Sequence, residues 1–332
     1  MNGSVAPAPQ PPAAEPAVAE PAAAEPATLR RVLHAVGQVV HGKDEVIEQV
    51  LLALLAGGHV LLEDLPGVGK STLARAMAAA VGAELSRVQF TSDLLPADIL
   101  GVSVWRPRAE TFEFRPGPIF AHVVLADEVN RAPPRTQSAL LEAMGEGQVS
   151  VEGQTRPLPR PFMVIATQNP SEHHGTYPLP ESQRDRFALR ITLGYAAADV
   201  EAQLLQAGAS VGRATARPVV SLATVQQAQA AAAGLHLHPD LAAYAQRVVQ
   251  ATREHEALQQ GVSTRGALAW VATARARAWL AGRDHVGIDD LQRLAVPALA
   301  HRLVLHAAAG EATEAASADL VREILARVPV PR

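Results

Sequence analysis

A short apolar run, a glycine-rich turn and an alanine-rich helical segment follow one another in LLEDLPGVGKSTLARA, residues 61–76. The chain must leave a buried strand, curl and enter a helix within a few residues, and few folds accommodate that. Gly67 and Gly69 permit torsions that a side chain would resist, so successive amides can curl around an anion. A helix starting near Lys70 adds unpaired amides at its amino end beside the same anion. Lys70 is placed to bridge β and γ phosphates, and the Ser71 hydroxyl to ligate magnesium. The candidate phosphate-binding set is Asp64, Pro66, Gly67, Val68, Gly69, Lys70, Ser71 and Thr72. Asp64 occupies the first position of G-x-x-x-x-G-K-[ST], where glycine is usual, so its carboxylate must point away or make a compensating contact. Taken alone, P-G-V-G-K also reads as an ordinary turn after a strand. Lysine occurs only at Lys43 and Lys70 in an arginine-rich chain, which makes its presence in this turn conspicuous.

Around this turn, the runs HVLLED, LSRVQF, HVVLAD, FMVIAT and ALRITL are too short for typical helices and are separated by helical or loop segments. They predict strands of a mainly parallel sheet covered by helices on both faces. After roughly Ala196 the strand signals vanish, and the remainder reads as a smaller all-helical domain. Residues 1–27 are almost entirely Ala, Pro and Glu and have little apolar surface to offset the entropy of ordering, so a flexible tail is expected. The expected division is therefore a tail over 1–27, a core over 28–210 and a helical domain over 211–332.

Composition excludes several classes. With no cysteine, disulfides and cysteine-ligated zinc are impossible. A net charge of -4 argues against a general electrostatic grip on nucleic acid. No apolar run reaches the roughly 18 to 20 residues that span a bilayer, and the start MNGSVAPAPQPP lacks a secretion signal's basic and apolar segments. A cytoplasmic location is the expectation.

A second strand should supply carboxylates, and HVVLADEVNR does so. Asp127 is the candidate for the magnesium water shell, with Glu128 orienting or polarising the attacking water. A third strand, FMVIATQNP, ends at Asn169, whose amide can hydrogen-bond the lytic water or the terminal phosphate. His173 and His174 lack additional ligands and read as a solvent-facing loop.

With these three elements in order, the sequence resembles the MoxR family of AAA+ ATPases from about Leu29 to Val330. VVLADEVNRAPPRTQSALLEAMGEGQVSVEG, QFTSDLLPADILG, FRPGPIF, ATQNPSEHHGTYPLPESQRDRF and VSTRGALA carry the resemblance. It implies an α/β AAA+ P-loop core with a parallel five-stranded sheet, a smaller all-helical lid, and ATP and Mg2+ as ligands. Family members commonly carry an acidic residue at the Asp64 position. Lys70 and Ser71 fall in Walker A, Asp127 and Glu128 in Walker B, Asn169 at sensor 1, and Arg265 at sensor 2, reaching the γ phosphate from a lid helix that Ser263 or Thr264 caps. Relatives usually have Leu at the position of Arg184, so Arg186 is favoured as the arginine finger inserted into a neighbouring subunit; Arg131 is another interface candidate. Residues 101–117 resemble a hairpin insertion that contacts a partner or substrate, with TFEFR as a strand and Gly117 in a turn. The resemblance further implies a homo-hexamer and chaperone-like maturation of, or cofactor insertion into, client proteins, often with a von Willebrand factor A domain partner. A metal-chelatase-type motor subunit and a DNA-translocating motor are the alternatives.

Overall fold

The protein is described here by a computed structural model that places residues 24–169, 176–208, 216–306 and 313–331. Helix α1 (Pro26–Gly37) begins two residues inside the segment expected to be tail, because Pro26 suits a first helical turn that needs no amide donor. It buries the stripe Leu29, Val32 and Val36. Helix α2 (Asp44–Leu55) opens on Asp44 and Glu45, which complement the amino-terminal dipole, and buries its last six residues outright.

The core then runs β1 (Val60–Glu63), α3 (Lys70–Ala80), β2 (Leu85–Gln89), α4 (Pro96–Leu100), β3 (Gly101–Arg106), β4 (Thr111–Pro116) and β5 (Val123–Asp127). A 3-10 turn (Val129–Arg131) leads into α5 (Pro134–Glu146), followed by β6 (Gln148–Val151), β7 (Gln154–Pro157), β8 (Met163–Gln168), α6 (Glu181–Arg184), β9 (Leu189–Ile191) and α7 (Ala198–Ala207). Strands pair in the order β2-β5-β8-β1-β9, forming a parallel five-stranded sheet. Side-chain alternation divides its two faces. Val60, Leu62, Val123, Leu125, Met163 and Ile165 pack towards α1, α2 and α3. Leu61, Val124, Ala126, Val164 and Ala166 pack towards α5 on the other face. Burial on both sides explains why these strands read as continuous apolar runs.

Two antiparallel hairpins stand outside the sheet, β3–β4 and β6–β7. Ser103 Oγ donates to Glu152 Oε2 at 2.5 Å, and the Arg156 guanidinium lies 3.9 Å from the Phe114 ring centroid, so the hairpins hold one another. Gly117 opens a turn closed by Phe120 N–H, at the base of the first hairpin rather than its tip.

The second domain consists of α8 (Leu222–Ala233), α9 (Pro239–Arg253), α10 (Thr264–Leu280), α11 (Ile288–Leu299) and α12 (Thr313–Arg327), with a small antiparallel pair, β10 (Leu258–Gln260) and β11 (Val304–Leu305). Its attachment is at the carboxyl end of α3: Val219 N–H donates to Ala80 O at 2.9 Å. Gln229 Nε2 donates to Leu54 O at the end of α2, and Gln226 Nε2 to Arg160 O just before β8. Helix α3 starts in the glycine-rich turn, and its 11 residues carry the chain roughly 16 Å before this attachment is reached. No helix among the described residues is long and apolar enough to cross a membrane.

Candidate nucleotide site

The turn between β1 and α3 has the conformation its glycines suggest. Gly67 and Gly69 hold φ of 84° and 102°, and a Cβ built on either would meet nothing within 4 Å. Torsion, not crowding, therefore requires glycine here. Gly69 caps α3 without any side-chain hydrogen bond, and Leu73 N–H reaches back to Gly69 O at 2.9 Å. The amides of Lys70, Ser71 and Thr72 precede that first bond, at the positive end of the helix. Lys70 Nζ donates to the carbonyls of Asp64 (2.5 Å) and Leu65 (2.9 Å), which places its ammonium along the concave side of the turn.

Asp64 makes the compensating contacts its position demands. Its Oδ1 accepts from Leu65 N–H at 2.8 Å and its Oδ2 from Gly194 N–H at 2.5 Å. The buried carboxylate thus ties the turn to the segment after β9, and its backbone carbonyl, not its charge, faces Lys70.

The neighbouring strand ends converge on the same edge of the sheet. Asp127 closes β5, where its Oδ1 accepts from Thr167 Oγ1 at 3.0 Å and its Oδ2 from Arg87 Nε at 2.7 Å and Ser71 Oγ at 3.4 Å. Structure therefore joins Ser71 to Asp127 across 56 residues of sequence. Glu128 takes a left-handed conformation (φ 57°) with its amide donating to Thr167 Oγ1 at 2.9 Å, which turns the carboxylate out of the strand line. That carboxylate accepts from Gln89 Nε2 at 2.6 Å and pairs with Arg131 Nε at 3.2 Å. Asn169 follows β8 directly and is buried. Pro170, His173 and His174 lie outside the described residues.

Three side chains of this arrangement escaped the sequence reading: Arg87, Gln89 and Thr167. The alternation in LSRVQF places Arg87 and Gln89 on one face of an edge strand whose partner ends in Asp127, with Gln89 opposite it in register. Two polar groups at alternate positions beside an acidic strand end were the available signal.

The donor set suits Mg2+ with a triphosphate: a hydroxyl and a carboxylate as hard oxygen ligands, a Cβ-free amide cradle, and one ammonium. Ser71 and Asp127 would hold the metal; Gly67, Gly69, Lys70 and the first α3 amides would hold the phosphates.

Arg186 and Arg265 lie elsewhere. Both line a cleft of about 210 Å³ together with Gly57, Gly58 and His59 at the opposite, amino-terminal end of β1. Arg265 was expected to reach the γ phosphate held beneath its own lid. It does not approach the phosphate-binding turn, because the lid is fastened to the carboxyl end of α3 and to the end of α2. Arg186 Nη1 donates to Leu141 O of α5 at 2.7 Å, leaving Nε and Nη2 without a partner among the described residues. Gly145 makes room for it, since a Cβ there would lie 2.1 Å from Arg186 Nη1. Arg184 sits 3.9 Å from Glu181 on the short helix α6. Ser263 caps α10, its Oγ accepting from Gly266 N–H at 2.9 Å.

His59 supports this cleft from below. Its Nδ1 accepts from Val164 N–H and its Nε2–H donates to Met144 O, each at 3.0 Å, which fixes one neutral tautomer. Burial lowers its pKa to about 4.

Comparison with known proteins agrees with this architecture. The pattern of the ATPase family associated with various cellular activities (AAA) matches residues 59–189, and that of an AAA lid domain matches residues 250–324. The chain is 45% identical to the uncharacterized protein YeaC of Bacillus subtilis, over 91% of this chain and 95% of that one. It is 43% identical to chaperone MoxR1 of Mycobacterium tuberculosis, over 84% and 76%, and 32% identical to protein MoxR of Paracoccus denitrificans, over 90% and 94%. A crystal structure from Cytophaga hutchinsonii, described as a candidate ATPase, superimposes with a TM-score of 0.83 at 35% identity, covering 92% of this chain and 96% of that one.

Proposed function

The chain belongs to the MoxR family of AAA+ ATPases, an ATP-hydrolysing architecture, and from that premise we propose that it assembles as a homo-hexameric ring that hydrolyses ATP between neighbouring copies to remodel or mature client proteins. In this reading the described residues within 28–210 supply the nucleotide-binding core and those within 211–332 the lid. One observation carries the shared-site reading: Arg186 and Arg265 face one cleft at the end of the sheet remote from Lys70. A chain so built presents its phosphate cradle on one side and its two candidate phosphate-sensing arginines on another. Head-to-tail packing brings the two sides together and closes into a ring.

In this reading the turn amides and Lys70 orient the triphosphate, while Ser71 and Asp127 hold Mg2+, which neutralises phosphate charge and polarises the terminal phosphoryl group when bound. Glu128 leaves Gln89, orients the attacking water and takes its proton. Asn169 hydrogen-bonds the water or the γ phosphate. Arg186 and Arg265 of the adjacent copy offset charge developing on the transferred phosphoryl group, an effect worth about 1000-fold or more where measured for such fingers. Loss of the γ phosphate removes those contacts and alters the angle between copies, which is the differential contact any ligand-driven shift needs. Chaperone action on a client follows the likeness to a relative named a chaperone, and a von Willebrand factor A domain partner is the further implication of the family resemblance.

The direct test is ATP turnover by purified Lys70→Ala and Glu128→Gln chains. Lys70→Ala is expected to lose nucleotide binding, and Glu128→Gln to bind ATP while turning over at least 100-fold more slowly. Unchanged turnover in both overturns the proposal.

A further inference from the structure

Asp185 stands between the two arginines of the cleft. It directly precedes Arg186, and its carboxylate accepts from Ser263 Oγ at 2.9 Å on both oxygens. Ser263 is the amino-terminal cap of α10, and Arg265 is the second residue of that helix. The same carboxylate accepts from Arg302 Nε at 2.9 Å. Arg302 is 3% exposed, and its other nitrogens donate to the carbonyls of Asp185 (3.2 Å), Phe187 (2.6 Å), Ala188 (3.4 Å) and Ala298. His301 Nε2 is 3.1 Å from Phe187 O. The backbone on both sides of Arg186 is therefore hung from the lid.

We propose that Asp185 is the joint that positions Arg186 and Arg265 as a single unit for the triphosphate of the adjacent copy. Its negative charge lies among Arg186, Arg265 and Arg302, whose mutual repulsion would otherwise spread the cleft. Its two oxygens tie the start of α10 to the chain at Arg186, so a rotation of the lid displaces both guanidiniums together. A buried ion pair of this kind is a poor source of net stability, but it fixes geometry, and losing one partner leaves the other uncompensated. Asp185 touches no reacting atom; it is a positioning residue.

The inference rests on the shared-site reading, and the experiment separates the two. Asp185→Asn keeps the shape and removes the charge. In the full chain it is expected to lower kcat at least ten-fold with the KM for ATP changed less than two-fold, because the phosphate cradle is untouched. A mixture of Asp185→Asn and Lys70→Ala chains is expected to turn over ATP faster than the sum of the two alone. In mixed assemblies some intact cradles meet intact arginines. Arg186→Ala mixed with Lys70→Ala is the parallel control. If that pair complements and the Asp185→Asn pair does not, the joint is overturned and the shared site stands. If neither complements, the shared-site reading falls and the joint with it. Should Asp185→Asn fail to fold, Ser263→Ala replaces it. That variant is expected to lose three- to five-fold in kcat at unchanged KM, and an unchanged kcat overturns the proposal.

Discussion

Gln89 Nε2 donates to Glu128 Oε2 at 2.6 Å, so the carboxylate at the end of β5 is held by a side chain at the end of β2. In the proposed reaction, Glu128 must break this bond to address water. At an exposed pair such as this one the bond contributes about 1 kcal/mol net, equivalent to roughly five-fold in rate. Gln89→Ala is therefore expected to raise kcat by up to about five-fold at unchanged KM. A fall in kcat would show that Gln89 places Glu128 productively instead of restraining it.

Asp127 is gripped by Arg87, Thr167 and Ser71. The Arg87 side chain is 54% exposed, so the ion pair contributes under about 1 kcal/mol. Asp127→Ala is expected to melt near the parent temperature yet lose turnover by at least about 100-fold, with chelation by EDTA abolishing turnover of the parent. Melting scans and a magnesium titration of turnover check both halves.

His59 gives stability a definite pH dependence. Its folded value of about 4 lies below the ordinary 6.5, so the neutral form is the folded one. The contribution is complete above about pH 6.5 and is lost as pH falls towards 4, amounting to about 3 kcal/mol at roughly 1.4 kcal/mol per unit. His301, pushed the same way by burial and then by Arg302, adds to the slope. The urea midpoint is expected to drop between pH 7.5 and pH 5, and His59→Gln to flatten part of that drop. A midpoint independent of pH over this range would contradict the buried neutral tautomer.

Asp290 has no exposed surface and accepts from both Arg283 nitrogens (2.7 and 2.6 Å), from Gly287 N–H (2.8 Å) and from Arg277. Asp290→Ala strands two guanidiniums and uncaps α11, a loss expected to reach about 3 kcal/mol by denaturant unfolding. An unfolding midpoint equal to that of the parent would place the lid's stability elsewhere.

The sheet was legible in sequence because its strands are buried on both faces: HVLLED, HVVLAD and FMVIAT carry apolar residues at successive positions. The phosphate turn was legible because its chemistry is local. The hairpin β6–β7 was missed. Its two-residue turn, Glu152-Gly153, has positive φ at both positions, but glutamate lacks the asparagine or aspartate signature of such turns. The relation of Arg265 to Lys70 was illegible for a different reason. It depends on which ends of α2 and α3 the lid grips, and those contacts use backbone carbonyls such as Ala80 O and Leu54 O, which no residue type announces.

The attachment of the lid at the far end of α3 has a kinetic corollary. If a complete catalytic centre is assembled from two molecules, specific activity is not an intrinsic property of the polypeptide. It should fall on dilution, so that total output drops faster than protein concentration does, and a trace variant lacking the arginine pair should silence the neighbour it serves while its own phosphate cradle still turns over.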